Sequence, residues 1–277
     1  MPHFETTSLA DGLILQGHHW PVDNPLAAVS LVHGFGEHCG RYEELAAALV
    51  ANRIAVVGVD LRGHGRTISP RGVAESYDHL HDDLKTLLKQ TASLYPTVPH
   101  FLFGHSMGGG LVLHHGLNAG DDDPLAGYLV SAPLIRITRR IPGVARFAVN
   151  KISTVFPKTT VPIPVSGERI SSIPAEQERY DNDPLNHNRL CFRLAVGLVE
   201  TGERLLHEVA AWNKPLCLWH SKADQINDYD ATRQFATKAK SCEFTSFEGV
   251  EHEMHQDITR AEVHQLMTQF ILSSISS

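Results

Sequence analysis

FLFGHSMGGG, residues 101–110, joins a short apolar run to a serine that has glycines on both sides. The apolar run predicts a buried strand, and residues 107–118 have the spacing of a helix. Residues 104–108 (GHSMG) fit G-x-S-x-G, in which a sharp strand-to-helix turn exposes the serine hydroxyl. Such a turn strains the central backbone, and glycines around it avoid clashes. The stretch predicts Ser106 as a nucleophile; the alternative is an incidental serine in a glycine-rich turn.

Strand-type and helix-type segments alternate on both sides of this turn. Continuous apolar runs predict buried strands, whereas apolar residues three or four positions apart predict helices. The predicted strands are 3–8, 13–20, 27–33, 54–59, 101–103, 127–130, 215–219 and 243–247. The predicted helices are 41–52, 77–95, 107–118, 231–240 and 259–273. The alternation indicates an α/β class, with a mostly parallel sheet, helices on both faces and an opening hairpin.

The alternation is interrupted once, between residues 133 and 208. This segment is rich in proline, has amphipathic patches and shows no strand pattern. Because the strands resume afterwards, we predict a lid (cap) inserted into a core made of residues 1–132 and 209–277. Basic residues stand among apolar ones in the first half of the lid: Arg136, Arg139, Arg140, Arg146, Lys151 and Lys158. This mixture is typical of a solvated amphipathic helix and also fits transient contact with an anionic lipid surface.

Composition narrows the class of protein further. The 277 residues are 42% hydrophobic, enough for a sizeable core, and the formal net charge is -7 without a long basic run. Nucleic acid is therefore not an expected partner. Four cysteines stand far apart without metal-type spacing, which favours reduced thiols and a cytoplasmic location. We expect neither a secretory signal at the N-terminus nor a membrane-spanning run.

A serine nucleophile needs a histidine to take its proton and a carboxylate to orient that histidine. In the order serine, acid, histidine, Asp224 follows a late strand and His252 follows the last one. Asp228 and Asp230 are rival acids, but they stand at a predicted helix start, where capping is the plainer role. His255 is a rival base. Residues 252–255 (HEMH) do not complete a zinc-protease helix, which needs its second histidine one position later.

The loop that follows the third predicted strand completes the candidate site. Residues 33–36 (HGFG) lie where a backbone N–H group would stabilise an oxyanion. The predicted donors are the N–H groups of Phe35 and Met107.

Three strings carry a closer resemblance: residues 33–42 (HGFGEHCGRY), 60–65 (DLRGHG) and 104–109 (GHSMGG). Together they resemble the monoacylglycerol lipase and lysophospholipase-like branch of the α/β hydrolases. Residues 180–185 (YDNDPL) look like the acidic motif of that family's lid, and Asp224 and His252 fall where the family places its acid and base. The resemblance covers roughly residues 10–270 and is weak between about 134 and 172. It implies the α/β-hydrolase fold, with a mostly parallel eight-stranded sheet and an inserted lid over an acyl-chain pocket.

The resemblance also implies a substrate and the residues that would hold it. It suggests hydrolysis of a small acyl ester, first a monoacylglycerol, without metal or organic cofactor. In such relatives the residues matching Glu37, Arg41 and His255 lie near the leaving alcohol. Since Glu37 and Arg41 are four residues apart at a helix start, a structural ion pair competes with this role.

Other activities fit the same three catalytic residues. Lysophospholipase, general carboxylesterase, thioesterase, peptidase and acyltransferase reactions all use a serine triad, and a fold does not choose among them. A further alternative is a silent ligand-binding protein on the same fold. The intact Ser106, Asp224 and His252 favour an enzyme.

Overall fold

The computed structural model describes residues 3–120, 122–139 and 142–276 and is built around one large sheet. In chain order, the strands within the described residues are β1 (His3–Thr7), β2 (Ile14–Trp20), β3 (Ala27–Val32), β4 (Ile54–Asp60), β5 (His100–His105), β6 (Leu125–Ser131), β7 (Thr160–Pro162), β8 (Arg189–Cys191), β9 (Leu216–Ser221) and β10 (Cys242–Phe247). Eight of them form the large sheet in the order β1-β2-β4-β3-β5-β6-β9-β10. The β1–β2 and β2–β4 pairs are antiparallel and the others are parallel. The predicted hairpin and mostly parallel eight-stranded sheet are confirmed.

Helices cover both faces of this sheet. The described α-helices are α1 (Glu43–Ala51), α2 (Tyr77–Leu94), α3 (Met107–Asn118), α4 (Gly143–Val155), α5 (Gly167–Ile170), α6 (Pro174–Asp181), α7 (Phe192–Glu208), α8 (Tyr229–Lys238) and α9 (Arg260–Ile275). The predicted start of α1 at residue 41 is wrong, because Cys39–Tyr42 forms a separate 3-10 turn. The His38 side chain caps that turn by accepting a hydrogen bond from the N–H of Gly40.

The sheet separates two apolar cores, since neighbouring side chains of a strand point to opposite faces. On β5, Leu102 packs into the core beneath α2, α3 and α8, whereas Phe101 and Phe103 pack into the core beneath α1 and α9. Phe103 stacks on Trp219 of β9 with ring centroids 5.9 Å apart. This two-sided burial explains why the central strands are continuously apolar in sequence.

The parallel strands place their carboxyl ends at one edge of the sheet. The segments that leave this edge after β3, β5, β9 and β10 contain the predicted oxyanion loop, nucleophile, acid and base, respectively. In a sheet of this type such an edge is the usual place for a ligand. No helix among the described residues combines the length and apolar character needed to cross a membrane.

The segment predicted as a lid leaves the sheet after β6 and contains α4 to α7. The prediction that it holds no strand is wrong, because β7 and β8 pair antiparallel, with Thr160 opposite Cys191. Each strand has only three residues, too few for a period-two pattern to show in the sequence. Arg140 of the predicted basic set lies outside the described residues.

Candidate active site

Ser106 occupies the strained turn that its sequence motif predicts. It lies between β5 and α3 with φ 54° and ψ −117°, a left-handed φ that a residue with a side chain rarely adopts. A Cβ added at Gly104 would lie 2.5 Å from the carbonyl oxygen of Gly108, and one at Gly108 would lie 2.4 Å from that of Val32. Both flanking glycines are therefore required by close backbone approach.

Backbone hydrogen bonds hold this turn in place. The N–H of Ser106 donates to the carbonyl of Ser131 at the end of β6 (2.9 Å), and its own carbonyl accepts from Leu134 (2.8 Å) and Gly110 (3.0 Å). Met107 begins α3, so its N–H lies in the first turn, where the helix supplies no acceptor. The positive end of the α3 dipole and this N–H both lie next to Ser106, where they would stabilise a negative charge that develops on a bound substrate.

Asp224, in the segment after β9, and His252, in the segment after β10, contact each other. Nδ1 of His252 lies 2.6 Å from Oδ2 of Asp224, and both side chains are buried. The other carboxylate oxygen of Asp224 accepts hydrogen bonds from the N–H groups of Ile226 (2.7 Å) and Asn227 (3.1 Å). This geometry is that of an acid that orients an imidazole.

The electrostatics of this pair follow from its burial and its mutual contact. Burial alone would lower the pKa of His252, but the adjacent Asp224 carboxylate outweighs it and raises that pKa above its usual 6.5. Burial alone would raise the pKa of Asp224, but His252 and His220 hold it well below its ordinary value. Asp224 is therefore ionised at neutral pH, and it stabilises the protonated form of His252.

His220 is a partner of Asp224 that was not predicted from the sequence. Its Nε2 lies 2.8 Å from Oδ2 of Asp224, the same oxygen that contacts His252, and its Nδ1 lies 2.8 Å from the hydroxyl of Thr232. His220 belongs to β9 and is fully buried. A histidine inside an apolar strand gives no sequence signal for this contact, because the acid it meets lies on the following loop.

The rival residues have other partners. Asp228 caps α8 by accepting a hydrogen bond from the N–H of Ala231 (3.0 Å), and it pairs with Arg136 (2.8 Å). Asp230 is exposed and pairs with Arg233. Their predicted roles at the helix start agree with this placement. His255 stacks on Tyr42 with ring centroids 4.9 Å apart.

The predicted oxyanion loop lies directly against Ser106. A Cβ added at Gly34 would lie 3.2 Å from the Cβ of Ser106. The next glycine, Gly36, has φ 75°, and an added Cβ there would lie 2.3 Å from the carbonyl oxygen of His187 in the lid segment. The N–H of His187 donates to the Gly36 carbonyl (2.8 Å), so the lid segment contacts the loop that carries Phe35.

Glu37 and Arg41 form a buried ion cluster with a third residue, Glu253. Arg41 Nε lies 3.2 Å from Glu37 and its Nη2 lies 2.6 Å from Glu253. Glu37 also accepts hydrogen bonds from the N–H of Gly34 (2.5 Å) and the hydroxyl of Tyr42 (2.7 Å). The ion pair between Glu37 and Arg41, which was the structural alternative to an alcohol-binding role, is therefore present. Glu253 was not singled out from the sequence, although it directly follows the predicted base.

One group of side chains in this region resembles a metal site by distance alone. Ligand atoms of Glu37, His105 and Glu253 lie within 4.8 Å of one another. The guanidinium of Arg41 already supplies a positive charge to both carboxylates. A second buried cation beside it would be repelled, so we assign no metal to this cluster.

The raised pKa of His252 makes a pH dependence measurable. As the predicted base, His252 would have to be neutral to accept the serine proton. We therefore expect kcat/KM to fall as the pH drops through the pKa of His252, with a midpoint above 6.5. The nearby Glu253 carboxylate contributes to this upward shift. A Glu253→Gln variant should therefore move the midpoint to lower pH in a rate–pH profile. An unmoved midpoint, or one that rises, would contradict the assignment of this limb to His252.

Comparison with known proteins agrees with this geometry. Residues 23–259 match the model of the family described as "Serine aminopeptidase, S33". An uncharacterized abhydrolase domain-containing protein of Dictyostelium discoideum is 31% identical over 260 residues, covering 93% of this chain and 27% of that protein. The monoacylglycerol lipase of Mycolicibacterium smegmatis is 28% identical over 261 residues, covering 92% of this chain and 91% of the relative. The crystal structure of Paleococcus ferrophilus monoacylglycerol lipase has a TM-score of 0.84 at 25% identity, covering 94% and 99% of the two chains. The chain thus spans only about a quarter of the Dictyostelium relative but nearly the full length of the other two.

Proposed function

Because the chain belongs to the serine aminopeptidase S33 family of α/β hydrolases and is a monoacylglycerol lipase-like member of it, we propose that it hydrolyses monoacylglycerols. Fatty acid and glycerol are the expected products. One observation carries the proposal: the strained Ser106 lies at the same edge of the sheet as the hydrogen-bonded pair of Asp224 and His252. The similarity to two monoacylglycerol lipases over nearly their full length supports this choice among acyl esters.

The proposed reaction proceeds through an acyl-enzyme. Ser106 Oγ attacks the ester carbonyl carbon while its proton passes to His252, and Asp224 stabilises the imidazolium. Backbone N–H groups of Phe35 and Met107 hold the oxyanion, and His252 then protonates the leaving alcohol. Water repeats the sequence on the acyl-enzyme, which releases the acid and restores the serine.

The buried cluster around Arg41 supports a site for the leaving alcohol. Arg41 Nη1 and His255 Nδ1 are buried nitrogens that have no hydrogen-bond partner among the described residues. Buried polar atoms are normally paired, and an alcohol hydroxyl would satisfy them. Glu37 lies in the same cluster and against the oxyanion loop. We therefore assign Glu37, Arg41 and His255 to the alcohol side of the substrate, with the ion pair holding Arg41 in place.

A fluorophosphonate probe and a substrate series test this function. The folded protein should be labelled on Ser106, and Ser106→Ala should lose both labelling and turnover. Long-chain monoacylglycerols should be cleaved faster than lysophospholipids and than acetyl or butyryl nitrophenyl esters. Labelling that survives Ser106→Ala would overturn the serine assignment, whereas a preference for lysophospholipids or for short esters would overturn only the substrate.

We further propose that residues 133–208 act as the lid and that its helix α4 contacts a lipid surface. Val144, Phe147 and Val155 lie on one face of α4 and are 83%, 64% and 68% exposed. An apolar face flanked by basic residues is the pattern of a helix that lies in a membrane interface. The protein should co-sediment with vesicles that contain phosphatidylserine. Phe147→Asp should weaken this binding without changing the turnover of a water-soluble ester. Leu26→Asp, which changes an exposed residue at the amino end of β3, is the control. Equal vesicle binding by Phe147→Asp and wild type, or an equal loss of binding in Leu26→Asp, would contradict the assignment of α4 as the lipid-binding surface.

A cytoplasmic location stays a prediction. The four cysteines, Cys39, Cys191, Cys217 and Cys242, are free thiols in the structure, which supports a reducing compartment.

A further inference from the structure

The side chain of Asn227 contacts the proposed nucleophile itself. Its Nδ2 donates to the carbonyl of Ala132 (2.8 Å) and lies 3.4 Å from Ser106 Oγ, so the two amide hydrogens serve two different acceptors. Asn227 is fully buried. Its Oδ1 is buried without a hydrogen-bond partner among the described residues.

Several backbone contacts fix this amide. The N–H of Asn227 donates to Oδ1 of Asp224 (3.1 Å), and Asn227 forms an isolated β-bridge with Ile137, which follows β6 on the lid side. Ala132, its carbonyl acceptor, has φ 41° and donates its own N–H to Trp219 of β9 (2.9 Å). The amide is thus held from the acid loop on one side and from the end of the sheet on the other.

We propose that Asn227 is a catalytic residue that donates a hydrogen bond to Ser106 Oγ during acylation and deacylation, a role that rests on the proposed function. A hydroxyl has one hydrogen to donate and two lone pairs to accept. When Asn227 uses one lone pair, the hydroxyl hydrogen is left for His252 and a second lone pair is left for the ester carbon. Bonds of this kind are often long in the free enzyme and tighten in the transition state.

The contact has its largest effect when Oγ leaves. In deacylation a water oxygen bonds to the acyl carbon, the water proton passes to His252, and the carbon–Oγ bond breaks with its electron pair on Oγ. Negative charge builds up on this oxygen while the bond breaks, and it is neutralised as His252 returns the proton in the same step. Hydrogen bonds to charged groups are stronger than those to neutral ones, so the Asn227 amide stabilises this state more than the resting enzyme.

Asn227→Leu, close in shape but without a donor, is the principal test, and Asn227→Ala is a second variant that adds no bulk. We expect kcat per active site to fall about 10- to 100-fold in both, with KM nearly unchanged and fluorophosphonate labelling similarly slowed. The active sites are counted by titration, so partial misfolding does not enter kcat. Gln225→Leu removes an exposed amide from the same loop and should leave both rates unchanged.

The outcomes separate this role from a structural one and from the proposed function. The catalytic role is overturned if folded Asn227 variants lose thermal stability but keep kcat per active site within about twofold of wild type. Such a change is far smaller than the loss expected when a hydrogen bond to a charged group is removed. If Ser106→Ala is inactive while Asn227→Leu and Asn227→Ala are fully active, only this inference fails. If Ser106→Ala retains turnover, the proposed function fails first.

Discussion

Exchange of Asp224 for alanine is expected to lower kcat by about 10⁴-fold. The carboxylate holds Nδ1 of His252 at 2.6 Å and raises its pKa, so its loss removes both the orientation of the imidazole and the stabilisation of its charged form. Steady-state kinetics on a nitrophenyl ester, with active sites counted by titration, measures the effect.

Asp228→Ala is the matched control for this variant. Asp228 lies four residues further along the same loop, but its carboxylate caps α8 and pairs with Arg136. Its removal should cost about 1 kcal/mol of stability and leave kcat nearly unchanged. The opposite result, a large loss in the Asp228 variant and a small one in the Asp224 variant, would show that the acid is misassigned.

Arg41→Met is expected to lower the free energy of unfolding by about 3–5 kcal/mol. The methionine fills much of the space but leaves Glu37 and Glu253 buried without their cation. Burial already raises the pKa of Glu253 to about 7, against the lowering effect of Arg41. Removal of the arginine should raise this pKa further, and Glu253 should take up a proton in the folded variant.

The sign of the pH effect follows from that raised pKa. A carboxyl whose pKa is higher in the folded than in the unfolded protein destabilises the fold where it is ionised, and this cost disappears as the pH falls through the folded pKa. Chemical denaturation should therefore show a smaller difference between Arg41→Met and wild type at pH 5 than at pH 8. Arg233→Met, which breaks an exposed pair with Asp230, should cost no more than about 1 kcal/mol. Equal costs for the two variants would contradict a buried cluster.

Local patterns predicted the large sheet and the strained turn at Ser106. The strand before Ser106 is apolar because it is buried on both faces. The glycines beside Ser106 are required because an added Cβ would lie 2.4–2.5 Å from a backbone carbonyl oxygen. Chain order favoured Asp224 over Asp228 as the acid, since the acid must follow a strand end whereas a cap must precede a helix, and Asp228 does cap α8. These features are readable because each depends on residues adjacent in sequence.

Other features of the site depend on contacts between distant residues. Arg41 contacts Glu253, which is 212 residues away in the sequence, and Asn227 contacts Ser106, which is 121 residues away. The β7–β8 pair also escaped prediction, because three-residue strands have too little pattern to distinguish them from loops.

By itself, the sequence determined the α/β class, the strained turn at Ser106 and the order in which Ser106, Asp224 and His252 follow the strands. Burial and backbone geometry impose those patterns locally. Only the tertiary structure decided that His220 shares the Asp224 carboxylate, that Glu253 completes the ion cluster of Arg41, and that the Asn227 amide reaches Ser106. Such contacts depend on where several loops meet at one edge of the sheet. The distances between side chains on different loops are not encoded by any periodicity or spacing along the chain.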